Sequence, residues 1–243
     1  TRHVSVLLQH YGISNKVISL HQHNEERAAL GLLAKLKEGL AIALVSDAGT
    51  PLLSDPGMPL VKLIKEAGLD VVPVPGACAL IAALSAAGLP VTKFSFEGFS
   101  PRTSSARKTF FSEKLLSPTT WVFYESSHRI LASLQDMATV LPLDRRIVIA
   151  RELTKVHETI VNASLAEALV LVENDENMRK GEFVVIVDAA ELEKEQQLSA
   201  EHQRILSVLL RECSVKTAVA LAEEITGARK KLLYQAALAM DKK

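Results

Sequence analysis

The run Leu40–Ser46, LAIALVS, is apolar at successive positions instead of at every second one. A strand of that kind is covered on both faces, which calls for helices above and below a sheet and so for an α/β fold. The flanking sequence agrees. NEERAALGLLAKLKEG ahead of the run has helical spacing and ends at Gly39, and a helix around PGMPLVKLIKEAG, a short strand DVVPVPG and a helix ACALIAALSAAG follow it. Strands alternating with helices imply parallel strands joined by crossovers. Residues 71–92 carry no charge, enough to span a bilayer in length, but Pro73, Pro75, Gly76, Gly88 and Pro90 divide them into strand, turn and short helix. Neither a membrane span nor a signal peptide is expected.

The alternation is interrupted by the basic, Ser-rich stretch GFSPRTSSARKTFFSEK and resumes with TTWVFYE, a helix from about Ser127, RRIVIARE, ETIVN, a helix from Ser164 and GEFVVIVDA. Ser164 and Glu167 have the S-x-x-E spacing of a capping box. Two α/β halves result, residues 1–115 and 116–190. The polar run ELEKEQQLS reads as a linker or an exposed helix start. A helical tail, residues 198–243, follows it, with Gly227 placed for a turn between two helices. At 243 residues and 48% hydrophobic content the chain can bury a core, and 28 basic against 28 acidic residues leave no global field for nucleic acid, so any such attraction is local. The two cysteines, Cys78 and Cys213, lie far apart, which fits reduced thiols in a cytosolic protein and excludes a CxxC zinc site.

In open sheets ligands gather at the carboxyl ends of strands, where loops meet helix N-termini with unpaired backbone N–H groups. Four such loops stand out: SDAGTP, PGACA, FYESSHR and ARELTK. Gly49 permits close backbone approach, Pro51 fixes the exit, and Asp47 offers an acceptor for a hydroxyl or ammonium group; an Asx turn is the structural alternative. Gly76 and the amides of Ala77, Cys78 and Ala79 suit a carboxylate, although Pro-Gly before a helix is common. Neither GxGxxG nor a Walker A motif is present, so a nucleotide phosphate is not implied. Tyr124 and Glu125 end the third strand, Ser126 or Ser127 caps the next helix, and His128 has no G-x-S-x-G elbow to serve. Arg151, Glu152, Thr154 and Lys155 follow the fourth strand, as catalytic groups or as a solvated or paired cluster. His21 and His23 lack further ligands for a metal.

The ordered pieces TRH…LL…YGI, H…HNE, ALVSDAGTPLLSDPG, VPVPGACALIAALSAAGLP, F.FEGFSPR, FYESSHR, ARELTK.HE and KGEFVVIV together resemble the tetrapyrrole methylase superfamily. Within it they resemble most the ribosomal branch, which methylates the ribose 2'-oxygen of a cytidine in bacterial 16S rRNA. The resemblance covers Thr1 to about Val187. It implies two α/β sheets with S-adenosylmethionine (SAM) in the cleft between them, a helix-turn-helix-like tail, a cytoplasmic homodimer and the small ribosomal subunit as partner. It also implies a further N-terminal strand and Pro/Gly-Asn-Leu loop ahead of Thr1, without which neighbouring strands expose apolar surface. By position, Asp47, Ala48, Gly49 and Pro51 line the cofactor site, Cys78 and Ala79 meet the methionine end, and Tyr124, Glu125, Leu153, Glu182 and Phe183 close it. Glu152 or another carboxylate in the cleft is then the candidate for accepting or orienting the 2'-OH, with Arg151 and Lys155 on adjacent phosphate and no metal required. RNA is assigned to Arg102, Arg107 and Lys108, and to Arg229, Lys230 and Lys231 of the tail. The alternatives are C-methylation of a precorrin or uroporphyrinogen, and a non-catalytic binding protein on the same fold.

Overall fold

The computed structural model describes residues 2–190 and 198–241, and the stretch 191–197 that carries most of the expected linker lies outside the described residues. Contacts divide the chain into two compact units, Thr1–Ala190 and Glu191–Lys243. The first contains α1 (Arg2–His10), α2 (Glu25–Lys37), α3 (Met58–Glu66), α4 (Ala79–Ala86), β1 (Phe94–Phe99), α5 (Ser104–Glu113), β2 (Thr120–Ser126), α6 (Ile130–Ala138), β3 (Arg146–Arg151), β4 (Thr159–Ser164), α7 (Leu165–Asn174) and β5 (Glu182–Val187).

The five strands form one sheet in the order β1-β2-β5-β3-β4. Only β1 and β2 pair in parallel; β5 lies antiparallel between β2 and β3, and β4 folds back antiparallel on β3. This differs from an all-parallel reading because the β3–β4 link is short enough for a hairpin, whereas a parallel return needs a crossover. The directions bring the exits of β1, β2 and β3 and the entry of β5 to one edge of the sheet.

Helices cover both faces. On one, Leu80, Ala83, Leu84 and Ala87 recur at i, i+3, i+4 and i+7 and pack on Val122, Val148, Ala150, Val184 and Ile186. Burying each such leucine contributes about 1.5–3 kcal/mol. On the other face, Phe111, Ile130, Leu134, Met137, Leu165 and Val172 pack on Trp121, Phe123, Ile147, Ile149, Phe183, Val185 and Val187. Successive residues of β5 therefore serve opposite faces, and its uninterrupted apolar run follows. The capping box at Ser164 forms as its spacing demands.

The strands expected at 40–46 and 71–76 are not formed: among the described residues the sheet is the five-stranded one, and both segments run without ladder partners. A strand is completed by its neighbour, and without one Val72 and Val74 stand 79% and 86% exposed, with Leu40, Ile42 and Val45 also exposed. The helices beside them keep a small core of their own, where α2 meets α3 through Ala29, Leu32, Leu60 and Ile64. Two elements were not expected. β1 and α5 occupy FSFEGF and the basic Ser-rich stretch, so the sheet begins at Phe94, inside the first of the two halves read from the sequence.

The second unit is three helices, α8 (Ala200–Glu212), α9 (Val215–Thr226) and α10 (Lys230–Asp241), around Leu206, Ala218, Val219, Ala222, Leu233 and Ala237. Ser199 and Ser214 cap the first two by accepting from the N–H groups of His202 and Thr217. Gly227 ends α9 in the left-handed conformation, at φ 68°, and allows the tight turn into α10.

Candidate active site

Three of the four singled-out loops converge where α4 meets the sheet edge. Cys78 is the residue before α4. Cys78, Tyr124 of β2 and Leu153 beyond β3 all pack against the α4-facing cluster, with Phe96 of β1. The Tyr124 ring makes edge contacts with Phe96 and Phe99, at centroid distances of 4.9 and 5.6 Å. Its hydroxyl meets the Leu80 N–H of α4 and the Cys78 thiol; burial first, then the thiol, pushes the phenol above its usual range. The remaining loop joins through the Thr50 side chain. Thr50 Oγ1 donates to the Ala77 carbonyl at 3.2 Å, and a Cβ on Gly49 would stand 3.6 Å from the same oxygen. The far end of α4 is held by Asn162 of β4, whose Nδ2 donates to the Ala87 carbonyl at 2.8 Å.

Asp47, Ala48 and Ala79 are exposed and Pro51 half-buried around this junction. Asp47 Oδ1 lies 3.4 Å from His3 Nδ1 of α1, with both side chains well solvated. The shallow concavity of about 310 Å³ at Pro90, Thr92, Lys93, Pro118, Thr119, Thr120 and Ala189 lies at the opposite strand ends, where β1 and β2 begin. It is remote from these loops and has no part in the site.

Strand alternation separates the other candidates. Phe183 is 2% exposed and points into the core on the far side from α4, so it does not line the junction as a side chain. Glu125, paired with Phe183 across the ladder, shares that side. Its carboxylate accepts from Ser100 Oγ, Ser133 Oγ and the Ser126 N–H and is bridged by Arg129 at 2.7 Å, while Arg129 also donates to the Ser100 carbonyl. A carboxylate so fully engaged fixes the exits of β1 and β2 relative to each other and is closed to a ligand. Ser126 accepts from Arg129 in this network instead of capping α6. Ser100 and Ser133, which complete the network, carry no signal in the sequence because they come from elements 33 positions apart.

Arg151 is corrected likewise. It is 7% exposed and its guanidinium donates to the carbonyls of Lys180 and His157, holding the loop after β3 to the entry of β5 instead of reaching solvent phosphate. Glu152 accepts from Lys155 Nζ at 2.7 Å and from the Glu182 N–H at 2.9 Å, and Lys155 also bridges the exposed Glu182. The lysine, followed by the backbone N–H, holds the Glu152 carboxyl below its ordinary value, the wrong direction for a proton acceptor. Glu152 and Thr154 both sit at positive φ, 51° and 67°, so Leu153 is delivered to the α4 cluster by a strained turn.

Of the basic candidates, Arg107 is 5% exposed and bound to Asp136 of α6 through Nε at 2.8 Å and Nη2 at 2.7 Å, with Nη1 donating to the Arg102 carbonyl. It is a strut between α5 and α6, not an RNA contact; its solvated appearance in sequence fails because its partner lies 29 residues on. Arg102 is exposed, and Lys108 is half-exposed and 3.8 Å from Asp136. Arg229, Lys230 and Lys231 are exposed at the start of α10, Lys230 lying 3.6 Å from Glu223. Among the described residues no group of three or more His, Cys, Asp or Glu could hold a metal ion, and no helix is long and apolar enough to cross a membrane.

The family description Tetrapyrrole (Corrin/Porphyrin) Methylases matches residues 2–169. The chain belongs to the tetrapyrrole methylases. A second description, RsmI C-terminal HTH domain, matches residues 196–241. Among related tetrapyrrole methylases, Ribosomal RNA small subunit methyltransferase I of Escherichia coli O157:H7 is 52% identical over 98% of this chain and 83% of its own length. The protein of the same name from Vibrio cholerae serotype O1 is 51% identical over 97% of the chain and 82% of its length. Solved structures give the same fold: diphthine synthase at TM-score 0.54, 16% identity and coverage of 76% and 73% of the two chains, and the methyltransferase CobJ at TM-score 0.52, 22% identity and 73% and 74%.

Proposed function

We propose that the protein transfers a methyl group from SAM to the 2'-hydroxyl of a cytidine ribose in the 16S rRNA of the small ribosomal subunit. The structural observation that carries the reading is the meeting of Cys78, Tyr124 and Leu153 at the start of α4, with the Asp47–Pro51 loop bonded to the turn before that helix. Family membership and the printed name of relatives about half identical to the chain supply the substrate class.

The residues at this junction fit SAM. The α4 start offers backbone N–H groups for a carboxylate, Asp47 offers an acceptor for an ammonium or a ribose hydroxyl, and Leu153, Phe96 and Tyr124 offer an apolar wall for a base. When bound, SAM supplies a methyl group activated by its sulfonium. The protein then has to orient the ribose oxygen, keep water out and receive one proton. Leu153 and Tyr124 form the dry side. Within this reading Glu125 and Arg151 position the strand exits, and Glu152 with Lys155 stiffens the turn that carries Leu153.

RNA is held by Arg102 and Lys108 on one unit and by Arg229, Lys230 and Lys231 on the other, each as local positive charge on a chain of zero net charge. A homodimer and a cytoplasmic location belong to the same proposal. The test is transfer of labelled methyl from SAM to small ribosomal subunits, with mapping of the modified nucleotide. Methylation of a cytidine 2'-oxygen is expected; label appearing on a tetrapyrrole and not on RNA would overturn the reading.

A further inference from the structure

The SDAGTP loop and the turn before α4 follow the extended segments 40–46 and 71–76, which make no ladder among the described residues. Strand pairing therefore does not set the distance between them; a side chain joins them instead. Ser46 Oγ donates to the carbonyls of Ala48 at 3.1 Å and Gly49 at 3.0 Å, which curls the loop on itself with Gly49 at φ 71°. That hydroxyl is used up within the loop. Thr50 Oγ1 is the one that leaves it, crossing 27 positions of sequence to the Ala77 carbonyl at 3.2 Å. Gly49 keeps the two backbones close, since a Cβ on it would stand in contact with the same oxygen at 3.6 Å. Downstream the chain is tied once more, where the Gly57 N–H donates to Glu25 Oε2 of α2 at 2.8 Å.

We propose that Thr50 is a positioning residue for SAM: its hydroxyl holds the Asp47–Gly49 loop and the start of α4 at one spacing and so governs cofactor affinity, not the transfer step. The assignment rests on the reading above that SAM binds at this junction. The bonded carbonyl matters for what shares its peptide. A peptide group is planar and trans, so fixing the Ala77 C=O also fixes the direction of the Cys78 N–H. Cys78 is the N-cap of α4, in extended conformation and without a capping hydrogen bond from its thiol, so the backbone alone orients that N–H. A ligand that touches two loops binds tightly when both are already in place, because ordering them on binding is subtracted from its affinity. Valine keeps the shape of threonine and puts a methyl where the hydroxyl was, which removes the donor to Ala77. Serine keeps the donor and loses the methyl.

The test compares the full chain with Thr50→Val, Thr50→Ala and Thr50→Ser. In the ligand-free protein the Cys78 amide resonance should shift in T50V and return towards the parent in T50S. Calorimetry should show the Kd for SAM rising about tenfold in T50V and T50A, about 1.4 kcal/mol and within the net worth of a neutral hydrogen bond. T50S, which keeps the donor, should stay within about twofold of the parent. On small subunits the KM for SAM should follow the same order, with kcat at saturating SAM within about threefold of the parent throughout. A purely structural role would instead lower the melting temperature and the active fraction and leave the affinity of the folded fraction unchanged. Unchanged SAM affinity in T50V and T50A, a Cys78 resonance unmoved in T50V, T50S as weak as T50V, or a loss carried by kcat alone overturns the assignment while the SAM reading stands. Failure of both T50V and T50A to fold does the same. A parent that binds no SAM removes that reading and this assignment with it.

Discussion

Arg107 offers a measurement in which a structural and an RNA-binding role give opposite results. Its guanidinium and the Asp136 carboxylate are 7% and 10% exposed as side chains and are joined by two contacts under 3 Å. Replacing Arg107 with Met leaves the Asp136 charge buried beside Ser104 Oγ, which still donates to it at 2.7 Å, and beside Lys108 at 3.8 Å. Breaking one side of a buried pair costs about 3–5 kcal/mol, and these two remaining partners put the expectation at the lower end, about 3 kcal/mol. For a unit of 190 residues that corresponds to a fall in Tm of roughly 6–12 °C. Converting the partner as well, R107M with Asp136→Leu, should restore most of the loss, since an apolar pair of similar volume carries no stranded charge. Differential scanning calorimetry reads all three proteins. RNA affinity measured well below Tm should keep the parent's salt dependence in R107M. An R107M protein that melts with the parent and loses salt dependence in RNA binding would refute the strut and restore the sequence-based role.

Gly181 sits at φ 97°, and a Cβ there would collide with the Glu152 side chain; Gly181→Ala should cost about 1–3 kcal/mol from the backbone alone, displace Glu152 from Lys155 and lower methyl transfer, read by thermal melting and SAM turnover. The Glu167 carboxyl is held below the usual 4.5 by the Ser164 N–H and then its hydroxyl, so its stabilisation is complete above 4.5 and is lost as pH falls through the lower folded value. Parent and Glu167→Ala should therefore differ in Tm at pH 7 and converge in strong acid. Replacing Arg229, Lys230 and Lys231 together with Ala should flatten the log–log salt slope of RNA binding by about two, at roughly 0.7 per single-strand phosphate contact, with SAM affinity unchanged by calorimetry.

Helices were legible wherever local rules suffice. The Ser164–Glu167 spacing, the Gly227 turn and the helical spacing of α2 and α4 each predicted an element that forms. β1 was not legible because FSFEGF mixes Ser, Glu and Gly into a strand whose partners lie beyond position 119, and α5 was hidden by its charge and serines. At the site, motif order located the right loops but not the right faces. TWVFYES is buried on both sides through most of its length, so hydropathy gives no contrast by which to tell that Tyr124 faces α4 and Glu125 faces away.

The two unpaired stretches differ in what they can offer a neighbouring strand. Pro73 and Pro75 lack amide hydrogens, so 71–76 can offer only an interrupted row of donors to any passing chain. Residues 40–46 contain neither proline nor a charged side chain. That run presents an uninterrupted row of backbone donors and acceptors along an apolar edge, the form a neighbouring strand takes up, whereas 71–76 does not.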